Sequence, residues 1–347
     1  MLGRAMIRRL VALVLVLAAA AVLLIAVWPQ ALDLQRSWPA AQAVSFRVVG
    51  AGVAVVVAVV LVVIGLFARR IRSVTASVAV LALVAAAVSA GVLASRGIGR
   101  DDFTDALDTD VTVLSWNTLG GAPGAPTVAE LAVEVGADVV ALPETDAETA
   151  KAISDAMNAA GLPMAWFTSS YDDVPTAKPT SLLVSTALGE YTVATEDDGT
   201  SVTTTPGMPS IIATPVDEAS PVIVAAHPVA PLREAMEPWR AGLDVLADAC
   251  ASGNVVMAGD FNATIDHMAG LGTAGGALGT CRDAAVGTAN GGVGTWPTDL
   301  SPLLGTPIDH VLASRHWLAT GFRVVTDLDE AGSDHRPVVA QLSRTGA

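Results

Sequence analysis

The stretches VVMAGDFNAT, residues 255–264, and GSDHRPVV, residues 332–339, decide the fold of this chain. The first is an apolar run that stops at Asp260 and Asn262, and the second sets His335 just before another apolar run. Short apolar runs bounded by Gly, Asp, Asn or Pro are typical of buried strands. Because a fully buried strand carries its polar side chains at its ends, these stretches predict a site where several strand ends meet.

The same arrangement recurs at other predicted strands. SWNT places Asn117 after one strand, LPET places Glu144 after a second, and AAHP places His227 after a third. PIDH places Asp309 and His310 at the start of a further strand. The predicted strands are residues 111–114, 139–142, 182–184, 222–226, 255–258, 308–313 and 338–342.

Each polar residue taken alone also has an ordinary structural explanation. Asn117 could cap the segment that follows it, His227 could be a core histidine, and Asp309 could be a turn residue. Asp334, directly before His335, could likewise belong to a turn. The joint occurrence of so many carboxylates, amides and histidines at strand ends nevertheless favours a functional site.

Helix-like segments separate several of these strands, at residues 126–135, 146–160 and 232–250. Strands alternating with helices predict an α/β or α+β domain with sheets inside and helices outside. Residues 166–209 are rich in Thr, Ser, Asp, Gly and Pro. That composition predicts a loop with short strands at best, of the kind that borders a site.

The first hundred residues have a different composition from the rest of the chain. Of 347 residues, 52% are hydrophobic, and the mean hydropathy is +0.55, which is high for a soluble domain. Residues 1–100 hold ten Lys and Arg against Asp33 alone, and the remainder holds nine against 33 acidic residues, a net charge of −24. This composition excludes a disordered chain, a coiled coil and a disulfide-rich mini-protein, and it argues against a general nucleic-acid binder.

Three uncharged stretches, residues 10–28, 48–68 and 74–94, predict a three-span membrane anchor over residues 1–100. A signal peptide is the alternative for the first stretch. Basic residues lie before the first stretch and between the second and third, which predicts a cytoplasmic N-terminus. An odd number of spans then places residues 101–347, the predicted catalytic domain, outside the cytoplasm. Because the stretches hold no ionisable residue, an anchor is favoured over an ion pathway.

Taken in order, WNT, LPET, the strand ending in HP, GDFNAT, TWP, IDHV and SDHRPV resemble the motif set of the endonuclease/exonuclease/phosphatase superfamily. This superfamily includes DNase I, exonuclease III, bacterial sphingomyelinase and inositol polyphosphate 5-phosphatases. The resemblance extends from about residue 110 to residue 343. It implies a four-layer α/β sandwich of two packed, mostly antiparallel sheets flanked by helices. The spans in front of the domain resemble the membrane-anchored bacterial branch of the superfamily.

The resemblance also implies a role for each motif residue. Glu144 would bind a divalent metal, Mg²⁺ or Mn²⁺, with Asn117 and Asp334 close to the same ion; oxygen ligands of this kind suit Mg²⁺. His335 would be the general base, oriented by Asp309. Asp260 and Asn262 would position the attacking water or a second metal and hold a phosphoryl oxygen. His227 would donate to a non-bridging phosphate oxygen or assist the leaving group.

The resemblance indicates the reaction more closely than the substrate. A metal-dependent phosphoester hydrolase acting on a lipid headgroup or a small phosphoester is favoured, because a domain with so few basic residues should bind DNA poorly. A membrane-held endonuclease or exonuclease is the first alternative, and a non-catalytic binding module on the same fold is the second. No protein partner is predictable.

Six residues outside the predicted machinery carry separate expectations. Cys250 and Cys281 flank one strand and a loop, so a disulfide is expected in an extracytoplasmic domain, with two reduced thiols as the alternative. His267 and His316 have no motif around them and are expected at the surface. Trp296 is expected to be a core anchor rather than a stacking platform, although the superfamily that the motifs resemble keeps this residue close to the site. His310 could be structural or could lie at the edge of the substrate site.

Overall fold

The computed structural model describes residues 2–99, 102–107, 109–171, 178–194 and 205–345. The chain forms two compact units, Met1–Ser95 and Arg96–Ala347.

The first unit consists of helices. Three are long, α1 (Leu2–Val27), α3 (Arg47–Phe67) and α4 (Arg72–Arg96), and one is short, α2 (Ala40–Ser45), preceded by a 3-10 turn at Pro29–Leu32. The long helices are long and apolar enough to cross a membrane, as the three uncharged stretches predicted. Alanines such as Ala58 and Ala82 are buried between the helices, where small side chains allow close packing.

The second unit contains two six-stranded mixed sheets. The first has the order β11-β12-β1-β2-β4-β3 and the second the order β5-β6-β7-β8-β10-β9. In chain order the strands are β1 (Val111–Ser115), β2 (Val139–Pro143), β3 (Met164–Ser169), β4 (Thr180–Ser185), β5 (Tyr191–Val193), β6 (Ile211–Pro215), β7 (Val222–Ala226), β8 (Val255–Asp260), β9 (Arg282–Asp283), β10 (Asp309–Ala313), β11 (Trp317–Val324) and β12 (Val338–Arg344). The helices are α5 (Ala125–Glu134), α6 (Ala147–Ala159), α7 (Met236–Ala249), α8 (Ile265–Met268) and α9 (Ala284–Gly287), with a 3-10 turn at Thr186–Leu188.

Alternating side chains of each strand divide the core into layers. Val113 of β1 and Val256 of β8 belong to one apolar cluster that both sheets share. Leu114, the next residue of β1, packs in a second cluster with Val128 of α5 and Ile153 of α6. The predicted sandwich of two packed sheets with flanking helices is therefore confirmed.

The register of the strands explains why the polar motifs converge. In each sheet one pair is parallel, β1 with β2 and β7 with β8, and the carboxyl ends of these strands lie at the same edge. Strand β10 runs antiparallel to β8 with Asp309 opposite Asp260, and β12 runs antiparallel to β1 with Val338 opposite Ser115. The residues that precede β10 and β12 thus meet those that follow β1, β2, β7 and β8.

The sequence pattern missed some strands. Residues 166–209 were predicted to be loop-like, but β3 runs into this segment from Met164 and pairs with β4 along its whole length. β3 is an edge strand with partly exposed side chains, and its apolar run over residues 164–167 leads directly into the polar residues that gave the segment its loop-like composition. Residues 172–177 and 195–204 lie outside the described residues.

The second unit begins at Arg96, five residues before residue 101, the predicted start of the catalytic domain. The Arg96 guanidinium makes two 2.8 Å hydrogen bonds to the carboxylate of Asp266, whose side chain is 3% exposed. The Arg96 carbonyl accepts from the backbone N–H of Gly291. Gly97 has φ +82°, and a Cβ there would lie 1.8 Å from the Ala289 carbonyl oxygen, so this position requires glycine.

Replacing Arg96 by Gln is expected to destabilise the second unit by about 3–5 kcal/mol, because it removes the two hydrogen bonds and the positive charge that the guanidinium gives the buried Asp266 carboxylate. Urea unfolding followed by tryptophan fluorescence measures this change. The control is Lys151→Gln, which breaks the exposed pair with Asp155 and should change stability by less than about 0.5 kcal/mol. Equal effects of the two substitutions would contradict the expectation.

Candidate active site

The centre of the site is His335, which lies between two aspartates. Its Nδ1 is 2.9 Å from Oδ2 of Asp309, and its Nε2 is 3.7 Å from Oδ2 of Asp260. All three residues are buried, and one ligand atom of each lies within 4.8 Å of the others. The backbone of His335 is also fixed, because its carbonyl accepts a hydrogen bond from the Trp116 indole N–H at 2.8 Å.

The charges of this trio are coupled. Burial by itself lowers the pKa of His335, but the carboxylates of Asp309 and Asp260 outweigh it and raise the pKa to about 10. Burial raises the pKa of Asp260 to about 7, although His335 opposes the shift. At neutral pH the trio therefore holds an imidazolium next to a carboxyl group that can exchange a proton with water.

Asn117 connects this trio to Glu144. Its Nδ2 donates to Oδ2 of Asp260 at 3.0 Å and to Oε1 of Glu144 at 3.4 Å, while its Oδ1 accepts from the Leu119 backbone N–H. Glu144 has φ +56°, an uncommon backbone conformation for this residue type, and its carbonyl accepts from the Thr118 hydroxyl at 3.0 Å. In this arrangement the Asn117 amide nitrogen joins two carboxylates.

Asp334 lies beside His335 on the loop before β12. Its Oδ2 accepts from the indole N–H of Trp296 at 2.9 Å. Its Oδ1 is buried and has no hydrogen-bond partner among the residues that the structure describes. A buried carboxylate oxygen without a partner is costly, and a cation would satisfy it.

The residues present fit a divalent metal. In the described part of the chain the Glu144 carboxylate has one hydrogen-bond partner, the Asn117 amide, so it has capacity for an ion. Glu144 and the orphaned oxygen of Asp334 are each hard oxygen donors of the kind that Mg²⁺ and Mn²⁺ take in proteins, and the ligand atoms of the neighbouring Asp260, Asp309 and His335 lie close enough together to hold an ion.

Asn262 and His227 are held by backbone and hydroxyl contacts. Asn262 has φ +46°, donates from its backbone N–H to Oδ1 of Asp260 at 2.8 Å, and donates from Nδ2 to the Pro228 carbonyl at 3.0 Å. The Nδ1 of His227 is 2.9 Å from the Thr180 hydroxyl. Burial lowers the pKa of His227 to about 3, with the charge of His335 adding to the shift, so His227 is neutral.

A sequence profile of the Endonuclease/Exonuclease/phosphatase family matches residues 114–335, more than half of the chain and the whole of this site. The chain belongs to the endonuclease/exonuclease/phosphatase family. No curated protein matches it.

Several solved structures are similar to this chain. An endonuclease/exonuclease/phosphatase from Beutenbergia cavernae is 19% identical, covers 69% of this chain and 73% of its own, and superposes with a TM-score of 0.52. A mannosyl-6-phosphatase from Bacteroides thetaiotaomicron is 15% identical, with coverage of 67% and 99% and a TM-score of 0.46. Danio rerio TDP2 in complex with a single-strand DNA product is 16% identical, with coverage of 68% and 100% and a TM-score of 0.48.

All of the predicted family residues lie at the strand edge described above, but several supporting residues were missed. The hydroxyl of Thr118 contacts that of Thr145 at 2.7 Å, beneath the Glu144 backbone. Arg336 is buried and donates to the carbonyls of Thr298 and Leu300 and to the Asp329 carboxylate. Thr298 and Leu300 belong to the loop that follows Trp296, so Arg336 stabilises this loop. These residues lie inside or next to the motifs, and that position in the sequence could have indicated their supporting role.

Trp296 and His267 differ from the expectations. Trp296 is half-buried at the site, 6.5 Å from His335 between ring centroids, and not in the core. His267 is fully buried, because its Nδ1 accepts from the Thr264 backbone N–H at the start of α8 and its ring packs against Trp239. His316 is exposed, as predicted.

His310 belongs to a structural ion pair. Its Nδ1 is 2.7 Å from Oδ2 of Asp283, and its Nε2 is 2.8 Å from the Ala263 carbonyl oxygen. Both ring nitrogens face acceptors, and the Asp283 carboxylate helps to raise the pKa of His310 against the opposing effect of burial. The contacts of His310 therefore favour a structural role over a position at the edge of the substrate site.

Cys250 and Cys281 form a disulfide, with their Cα atoms 5.8 Å apart and both side chains buried. Replacing both by Ser should destabilise the second unit by about 3–4 kcal/mol, the chain-entropy expectation for a loop of this length. Thermal unfolding of the double variant measures the loss. Unchanged stability together with two free thiols in the unreduced parent would contradict the prediction.

Proposed function

We propose that this family member is a membrane-anchored, divalent-metal-dependent phosphoester hydrolase whose catalytic unit lies outside the cytoplasm. The observation that carries the proposal is the buried Asp309–His335–Asp260 trio, which Asn117 links to Glu144. A fold without catalytic function has no need to keep three ionisable groups buried in contact, since each loses solvation there.

Within the trio, Asp260 is the group that accepts the proton of the attacking water. Its pKa of about 7 suits proton exchange at physiological pH, whereas the pKa of about 10 keeps His335 protonated. The family resemblance implied that His335 is the general base. In our proposal Asp309 orients His335, and His335 instead provides positive charge next to Asp260 and the reacting phosphate.

Glu144 and Asp334 would hold Mg²⁺ or Mn²⁺, which when bound neutralises charge on the phosphate and its leaving oxygen. Asn262 and the neutral His227 hold phosphoryl oxygens, and His227 alternatively assists the leaving group. Their side chains are fixed by Pro228 and Thr180, so they need little reorganisation during the reaction. Positioning and charge neutralisation are the main contributions that phosphoryl transfer requires.

The charge of the second unit guides the choice of substrate. Residues 101–347 carry a net charge of −24, which opposes the approach of a polyanion. The apolar helices of the first unit favour a substrate at a membrane surface. We therefore propose a lipid headgroup or a small phosphoester rather than a nucleic acid.

A substrate panel tests this proposal. Purified full-length chain is assayed with Mg²⁺, with Mn²⁺ and with EDTA on bis-p-nitrophenyl phosphate, a phosphomonoester, phospholipid vesicles and plasmid DNA. We expect the metal-dependent hydrolysis of bis-p-nitrophenyl phosphate, the phosphomonoester and the phospholipids to be faster than that of plasmid DNA. Faster cleavage of DNA would favour the membrane-held nuclease, and metal binding without any hydrolysis would favour the binding module.

A further inference from the structure

The helices of the first unit line a half-open cavity of about 500 Å³. Its walls consist mainly of valine, alanine and leucine side chains of all four helices, including Val22, Val53 and Ala82. Polar side chains occur in its lining at Gln42, Arg47 and Ser89. A cavity with such walls does not retain water, so its natural occupant is hydrocarbon.

The length of the cavity corresponds to one leaflet of a bilayer. Along α3 its lining runs from Arg47 to Val57, ten residues that rise roughly 15 Å at about 1.5 Å each. Half of a hydrocarbon core roughly 30 Å thick is the same distance. With the N-terminus in the cytoplasm, Arg47 lies at the outer end of α3 and the cavity lies in the outer leaflet.

Arg47 places a fixed positive charge at the mouth of the cavity. It is the first residue of α3, it is 6% exposed, and its Nη1 donates to the carbonyl of Val27, the last residue of α1, at 2.9 Å. A guanidinium at the end of an apolar cavity complements a molecule with a hydrocarbon chain and a phosphate. Basic residues within membrane segments commonly mark such functional positions.

We propose that this cavity binds one outer-leaflet anionic glycerophospholipid, with an acyl chain along α3 and its phosphate at Arg47. The inference rests on the proposed membrane location of the first unit, but it requires no hydrolase activity. The bound lipid is a resident ligand of the helices, separate from the substrate of the family site.

The test exploits two glycines of α3. Gly50 lines the cavity, and a Cβ at Gly50 would meet nothing within 4 Å, so Gly50→Phe can fill the cavity with its ring. Gly52 has the same free space but does not line the cavity, which makes Gly52→Phe the matched control. Both full-length variants are reconstituted in nanodiscs of phosphatidylglycerol and phosphatidylcholine, released into mild detergent, and examined by native mass spectrometry.

We expect one phosphatidylglycerol retained by each parent chain and by Gly52→Phe, and at least about tenfold less retained by Gly50→Phe. Arg47→Gln should retain both lipids equally, because the charge that selects an anionic headgroup is gone. Circular dichroism verifies that each variant keeps its helices. If Arg47→Gln fails to fold, the pair of glycine variants still decides the question.

Three results would overturn the proposal. The first is a parent chain that retains no lipid. The second is equal retention by Gly50→Phe and Gly52→Phe. The third is a lipid-free dimer that Gly50→Phe dissociates, which would assign the cavity to a second copy of the chain. Because retention is counted by mass, loss of hydrolase activity in the substrate panel leaves this test unaffected.

Discussion

Replacing Asp260 by Asn is expected to lower kcat for metal-dependent hydrolysis of bis-p-nitrophenyl phosphate by about 10³-fold. General base catalysis contributes roughly 10²–10⁴-fold, and the substitution removes the proton acceptor while preserving the shape of the side chain. The amide oxygen can still accept from the Asn262 backbone N–H, which should keep the conformation of the turn, whereas the hydrogen bond from Asn117 to the second carboxylate oxygen is lost. Initial rates at saturating substrate and metal measure the effect.

The matched control for Asp260→Asn is Asp283→Asn. Asp283 is also a buried aspartate of the second sheet that pairs with a histidine, but its partner is His310, and its carboxylate bonds His310 and the Val286 backbone rather than a member of the trio. Its replacement should lower Tm and leave kcat within about threefold, a change of less than about 1 kcal/mol in the barrier. A similar loss of kcat in both variants would indicate damage to the fold rather than to the chemistry.

Replacing Glu144 by Gln is expected to raise the Mn²⁺ concentration needed for half-maximal activity on the order of 100-fold. The substitution removes a charged oxygen ligand, and outer-sphere substitutions alone cost roughly 10–100-fold in metal affinity. The side chain keeps its length and its contact with Asn117. Activity should recover in part at high Mn²⁺, because the trio is intact.

Glu148→Gln is the control for Glu144→Gln, since Glu148 is an exposed glutamate in the first turn of α6. The stabilisation of the folded chain by Mn²⁺ gives a readout independent of activity. The metal should raise the Tm of Glu148→Gln as much as that of the parent, and raise the Tm of Glu144→Gln much less. Equal shifts in all three proteins would remove Glu144 from the proposed metal site.

The sequence predicted the second unit well where strands are buried on both faces. The runs before Asn117, Glu144 and Asp260 are short, apolar and bounded by polar residues, and each forms a strand in the structure. Strand β3 lies at a sheet edge, where its apolar residues 164–167 are only partly buried and are followed at once by polar residues. Such strands are recognised only once their pairing partner is known.

The residue types of the site could be predicted from the sequence, but the protonation states of its side chains could not. The motifs indicated His335 and Asp309 as partners, and the structure places them 2.9 Å apart. The pKa values of His335 and Asp260 depend on burial and on the distance between residues far apart in the chain. His267 shows the same limit, because its burial follows from a contact with Trp239 of α7 that local sequence does not reveal.

The most direct test of the proposed activity is the initial rate of bis-p-nitrophenyl phosphate hydrolysis by the full-length chain as Mn²⁺ is titrated from an EDTA-treated start. We predict no rate without metal, a saturable rise with Mn²⁺ in the parent, and about 10³-fold less at saturation in Asp260→Asn. A rate that is unchanged by EDTA, or that is equal in the parent and Asp260→Asn, would contradict a metal-dependent hydrolase built on this trio.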